Sequence, residues 1–333
     1  MAKQQTIAII GAGSWGTALA ISLAHRHPVI LWGHSSAEMD PLTQDREHKA
    51  FLPGITFPVN LKVSTHLQDT LNQADQVLVV VPSHAFSSIC QQIADLRPSL
   101  DNLAWATKGF DPASQQLLSD VAEKHFPQAH FTVVSGPSFA GEVAKGLPTA
   151  LTVASNDAKT AEIWAELLRS DNFRPYISHD LIGVQVGGAS KNVMAIAAGI
   201  SDGLGFGANA RSALITRGLA EIMRLGGALG AKNDTFMGLA GLGDLTLTCT
   251  DNQSRNRRMG LALAKGLSVA DAKASIGQEV EGINTAREVW QLAQRLKVEM
   301  PITEQTYKVL YEGLDPKLAV QNLLSRDVGK ENC

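Results

Sequence analysis

One lysine stands where a lysine is costly. Lys191 lies midway along an apolar stretch from Leu181 to Ile200. A buried lysine needs a partner. Desolvation and nearby cations lower an amine's pKa towards the range where it trades protons near neutrality. Such a group suits a reaction in which an alcohol must lose its proton as a hydride departs. The bland alternative is an ammonium that snorkels to the helix surface. Asp244, within Ala240-Gly241-Leu242-Gly243-Asp244-Leu245, is a glycine-flanked acid. It suits a substrate hydroxyl, a pairing with Lys191, or the N-cap of a helix.

A few residues on comes Asp251-Asn252-Gln253-Ser254-Arg255-Asn256-Arg257-Arg258, the densest set of donors in the chain. Arginine grips phosphate through two parallel N–H bonds. Interleaved Ser254 and Asn256 add hydroxyl and amide donors. The cluster reads as an anion site, with a solvated helix face as the competing reading. Earlier in the chain, Thr107-Lys108-Gly109 and Ser135-Gly136-Pro137-Ser138 each follow an apolar run. Lys108 suits a phosphate or a polarised carbonyl; Ser138 either touches a ligand or caps the next helix.

The elements that must hold these residues begin at the N-terminus. Thr6-Ile7-Ala8-Ile9-Ile10 runs into Gly11-Ala12-Gly13-Ser14-Trp15-Gly16, and Leu19, Ala20, Leu23 and Ala24 then keep an apolar helical face. Strand, G-x-G-x-x-G and helix in that order fit a dinucleotide pyrophosphate. Gly11 allows the tight turn, Gly13 lets the backbone approach the phosphates, and Gly16 lets helix and strand pack closely. The helix N-terminus presents N–H groups and a positive dipole end. Further apolar runs at 28–32, 76–81, 103–107, 131–134, 150–154 and 173–177 alternate with helical patterns, and one helix is expected from about His84 to Leu96. This βαβ series predicts a doubly wound sheet, with ligands beyond the strands' carboxyl ends. No Asp or Glu closes the second strand, which ends in Gly33-His34-Ser35-Ser36. A carboxylate there binds the ribose 2′-hydroxyl and repels a 2′-phosphate, so its absence admits NADP as well as NAD.

Near Ser178 the pattern changes to helices joined by glycine-rich segments. We expect a nucleotide-binding domain over 1–179 and a helical substrate-binding and catalytic domain over 180–333. The 181–200 stretch is nearly long enough to cross a bilayer, but Lys191 and Asn192 at its middle make that costly; it reads as a buried helix. With 333 residues, 44% hydrophobic and 18% charged, there is enough chain for two cores. A net charge of −3 exerts no general pull on nucleic acid or anionic membrane. The N-terminus reads straight into a strand without the pattern of a secretory signal. Cys90, Cys249 and Cys333 form no disulfide framework, which fits a reducing, cytoplasmic setting. The nine histidines show no metal-binding spacing, and no metal is expected.

Taken together, these stretches resemble the bacterial NAD(P)-dependent glycerol-3-phosphate dehydrogenases. The likeness rests on Gly11 to Ala18, Val80-Val81-Pro82-Ser83-His84, Ala106-Thr107-Lys108-Gly109, and Ser135-Gly136-Pro137-Ser138-Phe139-Ala140. It continues with Gly188-Ala189-Ser190-Lys191-Asn192, Gly203 to Arg211, Gly241-Leu242-Gly243-Asp244, and Asn252 to Arg257. It runs from the first strand to about Leu324. The glycine fingerprint is shared by many enzymes; the last three motifs in this order are specific to the family.

The resemblance implies a Rossmann-type domain followed by a helical domain like the C-terminal fold of 6-phosphogluconate dehydrogenase. It implies reversible oxidation of sn-glycerol 3-phosphate to dihydroxyacetone phosphate with NADP or NAD, supplying phospholipid synthesis, in a cytoplasmic homodimer. It implies Lys191 as the proton acceptor. Lys108, Gly136, Ser138, Lys191, Asp244, Ser254, Arg255 and Asn256 match positions lining the substrate site. Gly11, Gly13, Ser14, Trp15, Gly16, His34, Lys108, Ala140, Arg255, Glu279 and Glu281 match cofactor positions. Ser138 stands where many relatives have threonine, His34 where some have arginine, and Glu279 where relatives often carry an aliphatic residue. Two other readings compete: a dehydrogenase of a small hydroxy acid, whose carboxylate would also use arginine, and a non-catalytic nucleotide sensor, against which Lys191 and Asp244 together argue.

Overall fold

Among the described residues, eight strands share one sheet in the order β3-β2-β1-β4-β5-β6-β7-β8. They are β1 (Ile7–Ile10), β2 (Val29–Trp32), β3 (Leu61–Ser64), β4 (Gln76–Val79), β5 (Asn102–Trp105), β6 (His130–Ser135), β7 (Thr149–Ser155) and β8 (Phe173–Ser178). The structure is a computed structural model and describes residues 5–326. The chain divides into two compact units, Met1–Gln185 and Val186–Cys333.

Strands β1, β2 and β4 are buried at every position. Burial on both faces is why their sequences are continuous apolar runs instead of alternating ones. Helices α1 (Ser14–Ala24), α2 (Ser36–Asp45), α3 (Leu67–Gln73), α4 (Ser83–Leu96), α5 (Leu118–His125), α6 (Ala140–Ala144) and α7 (Ala158–Leu168) follow the successive strands. Two features depart from the sequence reading. The apolar runs did not reveal β3, an edge strand of sequence LKVS whose Lys62 is exposed, because only one neighbour and one covered face constrain it. And β7 pairs antiparallel with β6, so the sheet is mostly, not wholly, parallel. The short helix α6 lies between the two, and the chain returns alongside β6 instead of crossing over the sheet.

The second unit is helical. Helix α8 (Leu181–Gly203) begins just before the division and continues into it. It is long and apolar enough to cross a membrane, and 89% of its apolar window is buried inside the protein. After it come α9 (Gly207–Ala228), α10 (Asn233–Phe236), a π-helical turn at Leu239–Gly243, α11 (Asp244–Thr250), α12 (Arg255–Ala264), α13 (Val269–Ile276), α14 (Glu281–Leu296), α15 (Pro301–Tyr311) and α16 (Pro316–Leu324). Val193, Ile196 and Ile200 of α8 pack with Met259 and Leu263 of α12 in one core cluster. Cys90 and Cys249 are buried free thiols, both pushed up to about 12 by burial; such thiols are inert as nucleophiles. Cys333 lies outside the described residues.

Glu221 of α9 holds the start of α15. Its carboxylate accepts from the N–H of Ile302 at 2.6 Å and from the N–H and hydroxyl of Thr303 at 3.1 Å each. Those bonds favour the anion, but burial outweighs them and lifts the carboxyl from an ordinary 4.5 to about 7. Between about pH 4.5 and 7 the folded chain therefore holds a proton that the unfolded chain has lost. Stability from this group is greatest at acid pH and falls as pH rises to about 7. Thermal unfolding followed across pH 4.5–8 should show that component in the wild type and lack it in Glu221→Gln.

Candidate functional site

The glycine loop lies where the sheet order reverses, β1 running on to β2 and β3 on one side and to β4 onwards on the other. A crevice at that switch point is where open α/β sheets bind nucleotides. Gly11 takes φ +122°, and a Cβ there would lie 2.5 Å from the carbonyl oxygen of Val80; a Cβ on Gly16 would lie 1.9 Å from that of Gly11. Only glycine allows both approaches. A Cβ on Gly13 would meet nothing within 4 Å, so the backbone there borders open space. Gly13 is also the N-cap of α1, whose first turn, starting at Ser14, carries no acidic residue. The indole N–H of Trp15 is buried without a partner. Open space over Gly13, an unscreened helix N-terminus and an orphaned donor fit a dinucleotide pyrophosphate.

The other residues expected in this unit cluster at the same end of the sheet. The Thr107 hydroxyl donates to the Val81 carbonyl at 2.8 Å, tying the chain after β5 to the chain after β4, and half-buried Lys108 follows it. Gly136 follows β6 with a Cβ position 2.8 Å from Leu151 Cα. The Ser138 hydroxyl donates to the Gly136 carbonyl at 2.9 Å and does not cap α6, whose N-cap is Phe139; half-buried Ala140 opens that helix. His34, past β2, is exposed.

His48 was not singled out by the sequence reading. Its Nε2 lies 3.2 Å from the carbonyl oxygen of Ala12, inside the glycine loop, and its ring rests 4.5 Å from that of Phe51. Burial holds its pKa below the usual value. A neutral ring with the proton on Nε2 donates to Ala12 and braces the loop. A histidine between charged residues carries no periodic signal, which is why only the fold reveals this contact.

In the second unit, Lys191 and Asp244 form a buried ion pair, their side chains 8% and 1% exposed. The glycines bring it about. A Cβ on Gly187, one turn before Lys191, would lie 2.5 Å from the Ala240 carbonyl oxygen, and one on Gly241 would lie 2.1 Å from that of Phe236. Helix α8 thus packs directly on the π-helical turn, which delivers Asp244 to Lys191. Asp244 pairs with the lysine instead of capping α11, and the Thr248 hydroxyl donates to the Asp244 carbonyl at 2.6 Å.

Ser254 is the N-cap of α12, its hydroxyl accepting from the Arg257 N–H at 3.2 Å. Arg255 opens that helix half-buried. Asn256 is buried and bonded through both amide atoms: Nδ2 donates to Asn192 Oδ1 at 2.9 Å, and Oδ1 accepts from the Gly282 N–H at 2.9 Å. Asn192, next to Lys191, donates to Glu281 Oε2 at 3.3 Å. Asn192 thus joins the lysine's helix to both α12 and the start of α14, a role its place in the apolar run did not disclose. Glu279 lies half-buried just before α14. Arg257 departs from the reading of three arginines as one donor set. It is 8% exposed and committed to Asp202 and Asn252.

The mostly parallel sheet, glycine cradle and helical second unit define the class: a Rossmann-type dinucleotide-dependent protein. A family described as NAD-dependent glycerol-3-phosphate dehydrogenase matches with its N-terminal domain over residues 6–161 and its C-terminal domain over residues 180–321. The chain is 56% identical over 331 residues to the glycerol-3-phosphate dehydrogenase [NAD(P)+] of Aeromonas hydrophila, covering 98% of this chain and 99% of that one. It is 55% identical to the protein of the same name in a Shewanella strain, covering 99% of each. The crystal structure of glycerol-3-phosphate dehydrogenase from Coxiella burnetii superposes with a TM-score of 0.95 at 46% identity, covering 97% of this chain and 99% of that one. The chain belongs to the NAD-dependent glycerol-3-phosphate dehydrogenase family.

Proposed function

We propose that this chain is an oxidoreductase that interconverts sn-glycerol 3-phosphate and dihydroxyacetone phosphate with NADP or NAD. The observation that carries the reading is the buried Lys191–Asp244 ion pair in the same unit as the Ser254–Asn256 helix start. One group moves a proton and the other holds an anion. A small hydroxy acid would use the same two groups, its carboxylate standing in for the phosphate, and it is family membership that favours the phosphate ester; a nucleotide sensor would need neither group.

When bound, the nicotinamide supplies or accepts the hydride at the substrate's central carbon. Lys191 delivers a proton to the carbonyl oxygen as that carbon is reduced, and takes it back from the hydroxyl in the reverse direction. Asp244 holds the ammonium in place. Arg255 and the first-turn N–H groups of α12 hold the phosphate. Gly11, Gly13, Ser14, Trp15 and Gly16 seat the pyrophosphate. The family resemblance assigns further substrate or cofactor contacts to Lys108, Gly136, Ser138 and Ala140 in the first unit and to Glu279 and Glu281 in the second, with residues 1–179 serving the dinucleotide and 180–333 the substrate and the chemistry. The family resemblance supports a homodimer and a role in supplying glycerol 3-phosphate for phospholipid synthesis. The free, buried Cys90 and Cys249 accord with a cytoplasmic setting.

The test is oxidation of NADPH, and separately NADH, followed spectrophotometrically with dihydroxyacetone phosphate and with a panel of keto acids. Turnover only with keto acids overturns the reading. His34 bears on cofactor choice. His34→Asp should weaken NADPH by about 10-fold more than NADH, because it sets a negative charge beside the 2′-phosphate. An equal loss with both would remove His34 from the ribose.

A further inference from the structure

We propose that Asp202 and Arg257 are a positioning pair that sets the phosphate-holding start of α12 against the helix bearing Lys191. The proposal rests on the function given above and assigns these residues a part in it. Arg257 reaches in two directions. Its Nη1 donates to Asp202 Oδ2 at 2.5 Å, and its Nε donates to Asn252 Oδ1 at 3.1 Å. Asp202 lies near the end of α8, the helix that carries Lys191. Asn252 lies in the turn just before α12, the turn that presents Ser254 and Arg255. One guanidinium therefore ties Lys191's helix to the turn.

Further contacts define the joint. The Arg257 N–H donates to the Ser254 hydroxyl at 3.2 Å. The turn is braced by Ser254 N–H on the Asp251 carbonyl at 3.2 Å and Gln253 N–H on Asp251 Oδ1 at 2.7 Å. A Cβ on Gly199 of α8 would lie 2.1 Å from the Arg257 carbonyl oxygen, so the two backbones meet at the same residue. Asp202 also accepts from Arg211 Nη1 at 2.8 Å, so a single carboxylate serves two guanidiniums.

The side chains of Arg257 and Asp202 are 9% and 10% exposed. Burying such a pair is poor value as stabilisation, since well-packed apolar residues do as well or better. What the pair supplies is direction. The planar guanidinium fork can bond a carboxylate and an amide oxygen at once in fixed geometry, which a lysine cannot. Two positions after Arg255, Arg257 points away from the helix face that Arg255 occupies. It therefore aims the phosphate site without touching the phosphate.

The experiment compares Asp202→Asn, Arg257→Lys and Asn252→Ala with wild type, using dihydroxyacetone phosphate and unphosphorylated dihydroxyacetone as substrates. NADPH dissociation is read by fluorescence. Asn252 is exposed, so Asn252→Ala removes one acceptor with little risk to folding. We expect each variant to lower the preference for the phosphorylated substrate, as a ratio of kcat/KM, by about 5- to 10-fold, mainly through KM, with the NADPH constant within about 2-fold of wild type. A purely structural role would cut both substrates in parallel with a falling Tm. Unchanged preference in Asn252→Ala and in whichever of the other two folds overturns the proposal. Arg255→Ala is the control. If it loses the preference while these variants keep it, the positioning role fails and the functional reading stands. If Arg255→Ala also keeps the preference, or wild type does not turn over dihydroxyacetone phosphate, the functional reading fails and the positioning role falls with it.

Discussion

Lys191→Ala is expected to lower kcat by about 10²-fold or more while NADPH still binds, because the substrate oxygen loses its proton donor and acceptor. The structure adds a second consequence. Asp244 is 1% exposed and faces Lys191. Removing the ammonium leaves a buried carboxylate without its counter-charge, a loss of about 3–5 kcal/mol in comparable pairs. Activity lost through unfolding must therefore be separated from activity lost through chemistry. Lys191→Arg does so. It keeps a positive charge beside Asp244, but a guanidinium does not give up its proton in proteins, so kcat should still collapse while the Tm stays closer to wild type. Stopped-flow reduction of dihydroxyacetone phosphate and a thermal melt on both variants check the two effects together. A Lys191→Arg enzyme with kcat near wild type would remove the lysine from proton transfer.

Arg255→Ala is expected to raise the KM for dihydroxyacetone phosphate by about 10- to 150-fold. That corresponds to the roughly 1.5–3 kcal/mol that a hydrogen bond to a charged group contributes. The residue opens α12 beside the Ser254 N-cap, in a first turn with no acidic residue, so a phosphate held there as proposed would meet a guanidinium and a helix N-terminus at one place. Unphosphorylated dihydroxyacetone, which lacks the group, should lose far less. The family resemblance also gives Arg255 a cofactor contact, so a modest rise in the NADPH KM is compatible with this assignment. Equal penalties on both substrates would take the phosphate away from Arg255. Steady-state kinetics at matched NADPH saturation decide it.

How much of this was legible in the chain follows from what burial does to sequence. The strands β1, β2 and β4 were visible because a strand covered on both faces must be apolar throughout. The glycine loop was visible because its backbone demands are local. Gly11 and Gly16 have no room for a Cβ, and no other residue type meets that requirement. The edge strand β3 and the polar helix α2, with Pro41 inside it, left no such imprint, and the apolar pattern passed over them. The direction of β7 was equally hidden, since a strand's composition does not say which way its neighbour runs.

The site divides along the same line. By itself the sequence determined which residue types are available and where each stands on its own element: a lysine inside an apolar helix, an acid between glycines, arginines at a helix start. These are short-range matters, governed by spacing, caps and backbone freedom. Only the tertiary structure decided the partners. Lys191 and Asp244 are 53 residues apart in the chain, and whether the acid pairs with the lysine or caps its own helix stood open until α8 closed on the π-helical turn. Arg255, Arg257 and Arg258 read as one basic cluster, yet Arg257 is turned inward to Asp202, 55 residues away. Which face of a helix meets which neighbour depends on contacts between remote segments, and no local pattern in the chain encodes a remote contact.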